Sequence, residues 1–217
     1  SYVYSVGGLK VVKENAENNP KHRTISNETD AKQIKEILEN SSYLVKSVEK
    51  KEKKRNPVPP FITSTLQQEA SRYWGFSSSR TMGIAQGLYE GIDMGSEGQE
   101  GLITYMRTDS VRIAPEAITE SRAYIKEQYG ASHLPEKPNS YASKKSAQDA
   151  HEAIRPTNLN HPPESIKNHL TQDQFKLYSL IWRRFIASQM KPAIYDTVTV
   201  VIDAESEIVL RATGSTL

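Results

Sequence analysis

Asn56-Pro57-Val58-Pro59-Pro60 divides this chain into two kinds of sequence pattern. Proline fixes φ and removes a backbone donor, so this stretch reads as a stiff linker and a domain boundary. Before it the pattern is mixed. Tyr2 to Val6 and Leu9 to Val12 flank Gly7-Gly8, a hairpin signature. A polar loop, Glu14 to Ser26, leads to a helix with Ala31, Ile34 and Leu38 on one face and Asn27 and Asp30 available as caps. Tyr43 to Val48 reads as a strand.

After the prolines the period becomes helical. Ser64 and Gln67 suit a capping box for a helix carrying Leu66, Ala70, Tyr73 and Trp74, stopped at Gly75. A second helix is expected over 79–90, with Met82, Ala85 and Leu88 on one face, followed by an acidic, glycine-rich loop over 93–100. Pro115 opens a helix that Gly130 stops. Ser146 and Asp149 suit the cap of a short helix ended by Pro156. Thr171 and Gln174 form a second capping box, starting a long helix with Phe175, Tyr178, Trp182, Phe185 and Ile186 inward and Pro192 at its end. Tyr195 to Asp203 and Ile208 to Thr213 read as a strand pair joined around Glu205-Ser206. The expected fold is therefore a multidomain α+β arrangement. Residues 1–62 with 192–217 form a discontinuous β-rich domain, and residues 63–191 form a helical domain inserted into it.

Composition narrows the function classes. Cysteine is absent, which excludes disulfides and thiolate metal sites. No apolar run reaches the length of a membrane-spanning helix, and the first residues do not read as a secretory signal, so a cytoplasmic protein without a membrane partner is expected. The chain lacks an initiator Met and reads as an internal piece of a longer protein. The net charge of +2 is too small to signal nucleic-acid binding. Lysines cluster instead at Lys50, Lys51, Lys53, Lys54 and Arg55, a run read as a solvated strand end or linker. The sequon Asn27-Glu28-Thr29 carries no weight without secretory signals.

Within Gly101-Leu102-Ile103-Thr104-Tyr105-Met106-Arg107-Thr108-Asp109-Ser110, side chains of extended backbone would alternate, putting Tyr105, Arg107 and Asp109 on one face. Most of the 11 tyrosines are expected to be packing residues, and so are Trp74 and Trp182. A phenol beside a guanidinium differs, because it suits attack on a phosphodiester: the phenol is the nucleophile and the cation answers the phosphate charge. Asp109 either orients Arg107 or caps the next helix with Ser110, and the sequence leaves both open.

Three strings, Pro60 to Gln68, the Tyr105 segment, and Ser146-Ala147-Gln148-Asp149-Ala150-His151-Glu152-Ala153-Ile154-Arg155-Pro156, resemble those of bacterial type IA DNA topoisomerases in content, order and spacing. The likeness covers about Pro60 to Pro192 and is weak over the first 55 residues. Met106, and the string from His151 to Pro156, place it nearer the topoisomerase I branch than the topoisomerase III decatenases. The resemblance implies a β-rich arch domain of a toroid, interrupted by a helical, catabolite-activator-like domain that presents the tyrosine. It implies that Tyr105 forms a 5′-phosphotyrosyl bond with single-stranded DNA. Strand passage and resealing then relax negatively supercoiled DNA without ATP. Arg107 and His151 are the expected catalytic partners. Arg155, one helical turn from His151, joins Asp109, Gln68 and Arg80 as an expected DNA contact, while Glu152 is expected to point elsewhere. Magnesium is implied for the full-length enzyme, with its acidic site in domains this chain does not resemble, so no metal site is expected here and the piece alone should be inactive. A non-catalytic helical DNA-binding module would leave all three strings unexplained.

Overall fold

In the computed structural model, which describes residues 2–12, 19–141 and 151–217, the chain forms two units, Ser1–Arg55 with Ala193–Leu217 and Asn56–Pro192.

The first unit is built on a six-stranded mixed sheet. Its strands are β1 (Tyr2–Val6), β2 (Leu9–Val11), β3 (His22–Arg23), β4 (Tyr43–Arg55), β7 (Ala193–Ala204) and β8 (Ile208–Thr216), in the order β3-β2-β1-β8-β7-β4. Gly7 and Gly8 both take positive φ, 57° and 75°, the turn that matches strand twist and that glycine enters without steric cost. Ser206 and Glu207 adopt the same handedness, at 60° and 59°, to join β7 to β8. Helix α1 (Glu28–Asn40) lays Ile34, Ile37 and Leu38 against Val6, Ile208 and Leu210. Its N-cap is Asn27, whose side chain accepts from the Asp30 N–H, while Asp30 itself pairs with Arg23 at 2.6 Å.

Two expectations need correction here. The loop over 14–26 contains β3, which pairs in parallel with β2 through Lys10 and His22. The strand expected to stop at Val48 continues to Arg55 and absorbs the lysine run, its residues exposed throughout. Lysine and glutamate are poor strand formers, but pairing with the β-branched residues of β7 overrides that preference. The charges also guard an edge strand that would otherwise invite another chain.

The second unit holds α2 (Thr63–Trp74), α3 (Ser78–Glu90), α4 (Pro115–Tyr129) and α5 (Gln172–Ser188). Leu66, Ala70, Ala85, Leu88, Ile125, Leu177, Ile181 and Phe185 are buried together. The Thr171–Gln174 capping box forms as expected, and α5 ends at Ser188, before Pro192 is reached. Tyr178 is fully buried and donates its hydroxyl to the His161 carbonyl; burial, with Glu100 nearby, raises its pKa well beyond the phenol range. Arg184 ties the proline stretch to this unit: its Nε donates to the Pro59 carbonyl at 2.7 Å and its guanidinium lies over the Phe61 ring. Burial lowers its pKa from the usual guanidinium value.

Several local details differ from the pattern reading. Helix α2 starts one residue early, at Thr63. Ile62 is the N-cap position, and the Thr65 hydroxyl reaches back to the Ile62 N–H at 3.1 Å, so Ser64 and Gln67 do not form the box. The loop over 93–100 contains a small hairpin, β5 (Ile92–Asp93) with β6 (Gln99–Glu100), turned by Gly95 and Gly98 at positive φ. Trp182 is core, but Tyr73, Tyr89 and Tyr129 are exposed. Ser146 and Asp149 lie outside the described residues. The segment after them is extended rather than helical: Ile154 bridges Phe61 and Pro156 bridges Ile103. Helical spacing was misleading there because Pro156 forbids its own N–H bond and disfavours helix at the residue before it.

Candidate active site

The three separated strings meet in the helical unit through their backbones. Ile154 N–H donates to the Phe61 carbonyl at 2.8 Å, joining the third string to the first. Thr104 joins the second to the third: its N–H donates to the Arg155 carbonyl at 2.9 Å, and its hydroxyl accepts from the Arg155 N–H at 3.0 Å and lies 2.7 Å from the Ala153 carbonyl. Thr63 joins the second to the first. Its hydroxyl accepts from the Thr108 N–H at 2.9 Å and lies 2.7 Å from the Met106 carbonyl, and its own N–H donates to Thr108 O at 3.0 Å. The Tyr105 segment is thus clamped on both sides of the tyrosine.

That clamp explains the side-chain alternation. No regular strand forms, yet Met106, Thr108 and Ser110 are buried while Tyr105, Arg107 and Asp109 are exposed. The alternation of exposure expected from extended backbone is therefore present. Tyr105 is 46% exposed, with its ring edge-on to Tyr89 at 5.3 Å between centroids. Arg107, Asp109 and His151 line one open groove of about 450 Å³ with Ile62, Thr63 and Ser64. The N-terminal turn of α2 forms one wall, so its positive dipole end adds to the Arg107 charge. Among the described residues the groove thus holds one guanidinium, one carboxylate and one imidazole, with the Tyr105 phenol two residues from Arg107 in the chain.

Other expected residues are placed differently. Asp109 does not cap the next helix: α4 begins at Pro115 with Ala114 as its N-cap, and Ser110 accepts from the Arg112 N–H. Among the described residues Asp109 forms no ion pair with Arg107 either; both face the groove. Arg155 is not one helical turn from His151, since the segment is extended. Its side chain is 14% exposed and its guanidinium bonds Glu152 at 2.8 and 3.0 Å and the Pro156 carbonyl at 3.0 Å. Glu152, expected to point elsewhere, is its partner. Gln68 is exposed on α2. Arg80 bonds Asp173 of α5 at 2.6 Å and stacks on Phe76. Neither lines the groove. Among the described residues, no three His, Asp or Glu side chains gather to hold a metal ion.

Thr63 and Tyr89 were not singled out from sequence. Thr63 lies inside the first string, but its bonds reach residues 43 and 45 positions away, which no local pattern encodes. Replacing Thr63 with valine keeps the shape and strands the Thr108 N–H. The expected cost is about 1–3 kcal/mol in the helical unit, read as a lower thermal midpoint, with faster hydrogen exchange at Thr108. An unchanged midpoint and exchange rate would show that the clamp is dispensable.

The backbone bonds of the helical unit thus bring residues of all three strings to one groove, with Tyr105 exposed two residues from Arg107. The sequence profile of the DNA topoisomerase family matches residues 4–217. The chain is 51% identical over 196 residues to a protein of Rickettsia bellii named DNA topoisomerase 1, covering 89% of this chain and 24% of that one. It is 50% identical over 187 residues to the DNA topoisomerase 1 of Xylella fastidiosa, covering 86% and 23%. Full-length topoisomerase I from Thermotoga maritima superposes with a TM-score of 0.71 at 39% identity, over 92% of this chain and 31% of that one. The chain belongs to the bacterial type IA DNA topoisomerase family. It spans about a quarter of the length of these curated relatives.

Proposed function

We propose that this chain carries the nucleophile of a type IA topoisomerase that cleaves one DNA strand, passes the other and reseals. Tyr105 Oη attacks a backbone phosphorus; its bond to phosphorus forms as the bond from phosphorus to the 3′-oxygen breaks. The phenolic proton leaves, and the departing 3′-oxygen gains one to become a hydroxyl. A phosphodiester is exchanged for a phosphotyrosyl ester, so the reverse attack reseals the strand and needs no ATP. Arg107 and His151 contact the phosphoryl oxygens, where fixed donors stabilise developing charge most. The convergence of three separated strings on the groove beside Tyr105 carries this reading.

In the same reading the unit Asn56–Pro192 is a helical, catabolite-activator-like insert in a β-rich arch. Single-stranded and negatively supercoiled DNA are the substrates, other domains of the longer enzyme are the partners, and the bacterial cytoplasm is the location. Magnesium, by the family resemblance, would be held by those other domains. The 217-residue chain, incubated with negatively supercoiled plasmid and magnesium, is expected to leave the topoisomer distribution unchanged. Relaxation that vanishes in Tyr105→Phe would show instead that the chain is catalytically complete.

A further inference from the structure

We propose that one face of the β-rich sheet is a second DNA contact, binding the sugar–phosphate backbone on the unit that does not carry Tyr105. Residues paired across antiparallel strands share a face. Lys53 pairs with Tyr195, Thr197 with Ser215, Thr199 with Thr213, and Val201 with Arg211. By the same alternation Arg55 joins Lys53. Lys51, Lys53 and Arg55 therefore share one side with these hydroxyls and Arg211, and Lys53, Arg55, Arg211 and the hydroxyls of Thr197, Thr199, Thr213 and Ser215 line a groove of about 690 Å³. The other side of the same strands carries Val48, Val198, Val200 and Ala212 together with Lys50, Glu52, Lys54 and Asp196, so that its cations stand beside two carboxylates.

The charge on that face lacks internal answers. Glu49 is taken by Lys51 and Asp203 by Lys46. Among the described residues no carboxylate pairs with Lys53, Arg55 or Arg211. Arg211 is the most telling. Its Nε is buried with no hydrogen-bond partner, while the guanidinium is held over the Tyr4 ring at 5.5 Å. A guanidinium held in place on the ring, beside threonine and serine hydroxyls, matches phosphate oxygens. Lys53 and Arg55 stand about 7 Å apart along β4, so two successive cations meet an extended polyanion rather than one small ion. Among the described residues Tyr195 is the only aromatic side chain lining the groove, so the contact is to the backbone and independent of base sequence.

This contact shares with the proposed function the premise that the chain acts on DNA, but it does not depend on the tyrosine chemistry. The test uses the 217-residue chain with Tyr105→Phe, so that covalent capture contributes nothing. Fluorescence anisotropy with a labelled single strand and with its duplex, over about 50–200 mM salt, gives the slope of log affinity against log salt. Changing Lys53, Arg55 and Arg211 to Gln together should flatten that slope by about 2 for a single strand or about 3 for a duplex. A control that removes Lys32 and Lys35, exposed on α1, should leave it unchanged. A change confined to one form of DNA identifies that form as the ligand. The double variant Lys53→Gln/Arg55→Gln, at exposed strand positions, guards against misfolding from loss of Arg211 and should still flatten the slope by more than 1. Equal slopes in all proteins, or an equal loss in the control, overturn the proposal. A failed nucleophile assignment would leave these slopes as they are.

Discussion

Tyr105→Phe in the complete enzyme is expected to abolish covalent capture of single-stranded DNA and, with it, relaxation. The substitution removes one oxygen from an exposed side chain and leaves the edge-on packing against Tyr89 in place. Folding should therefore be unaffected, and non-covalent binding should persist, because phosphate contacts elsewhere supply most of the affinity. A phenol with a free-solution pKa of about 10 is mostly protonated at neutral pH. Its attack depends on its surroundings, but without the oxygen there is no nucleophile to activate. Relaxation assays and adduct gels on the purified variant read the outcome. Residual relaxation above the level of an empty preparation would count against the assignment.

The second large effect is expected at Arg107. Arg107→Ala should slow strand cleavage by about 10²–10³-fold, the loss typical of removing one donor from a preorganised oxyanion site. The groove would keep His151 and the N-terminal turn of α2, so weak DNA binding should survive. Arg107→Lys separates charge from geometry. Lysine restores a point charge without the planar fork that engages two phosphoryl oxygens, so it should recover only part of the rate. Single-turnover cleavage of a labelled oligonucleotide distinguishes the variants. A rate for Arg107→Ala within a few-fold of wild type would remove Arg107 from the chemistry.

What could be read from sequence, and what could not, divides by range. Helix starts and stops were legible at Asn27, Pro115, Thr171 and Gly130, because capping is settled within a turn by the residues themselves. The exposed alternation of Tyr105, Arg107 and Asp109 was legible because extended backbone has a fixed period. The clamp by Thr63 was not, and neither was the continuation of β4 through five basic residues; both depend on partners far along the chain. The segment from His151 to Arg155 was misread for the same reason. Its spacing fits a helix, but the cross-chain bridges of Ile154 and Pro156 fix it as extended, and this turns Arg155 toward Glu152 instead of His151. The hydrogen bonds that assemble the groove are non-local, so sequence could name Arg107 and His151 without showing that they share it.

Mapping the adduct bears most directly on the nucleophile. The complete enzyme is trapped on a single-stranded oligonucleotide, digested with trypsin, and the phosphorylated tyrosine located by fragment ions. Fragmentation is essential, because the tryptic peptide spanning residues 81–107 holds both Tyr89 and Tyr105. The expected result is a single modified residue, Tyr105, linked to the 5′-phosphate of the cleaved strand, with a free 3′-hydroxyl on the other product. Modification at Tyr89 or at any other tyrosine, or a 3′-phosphate linkage, would contradict the account.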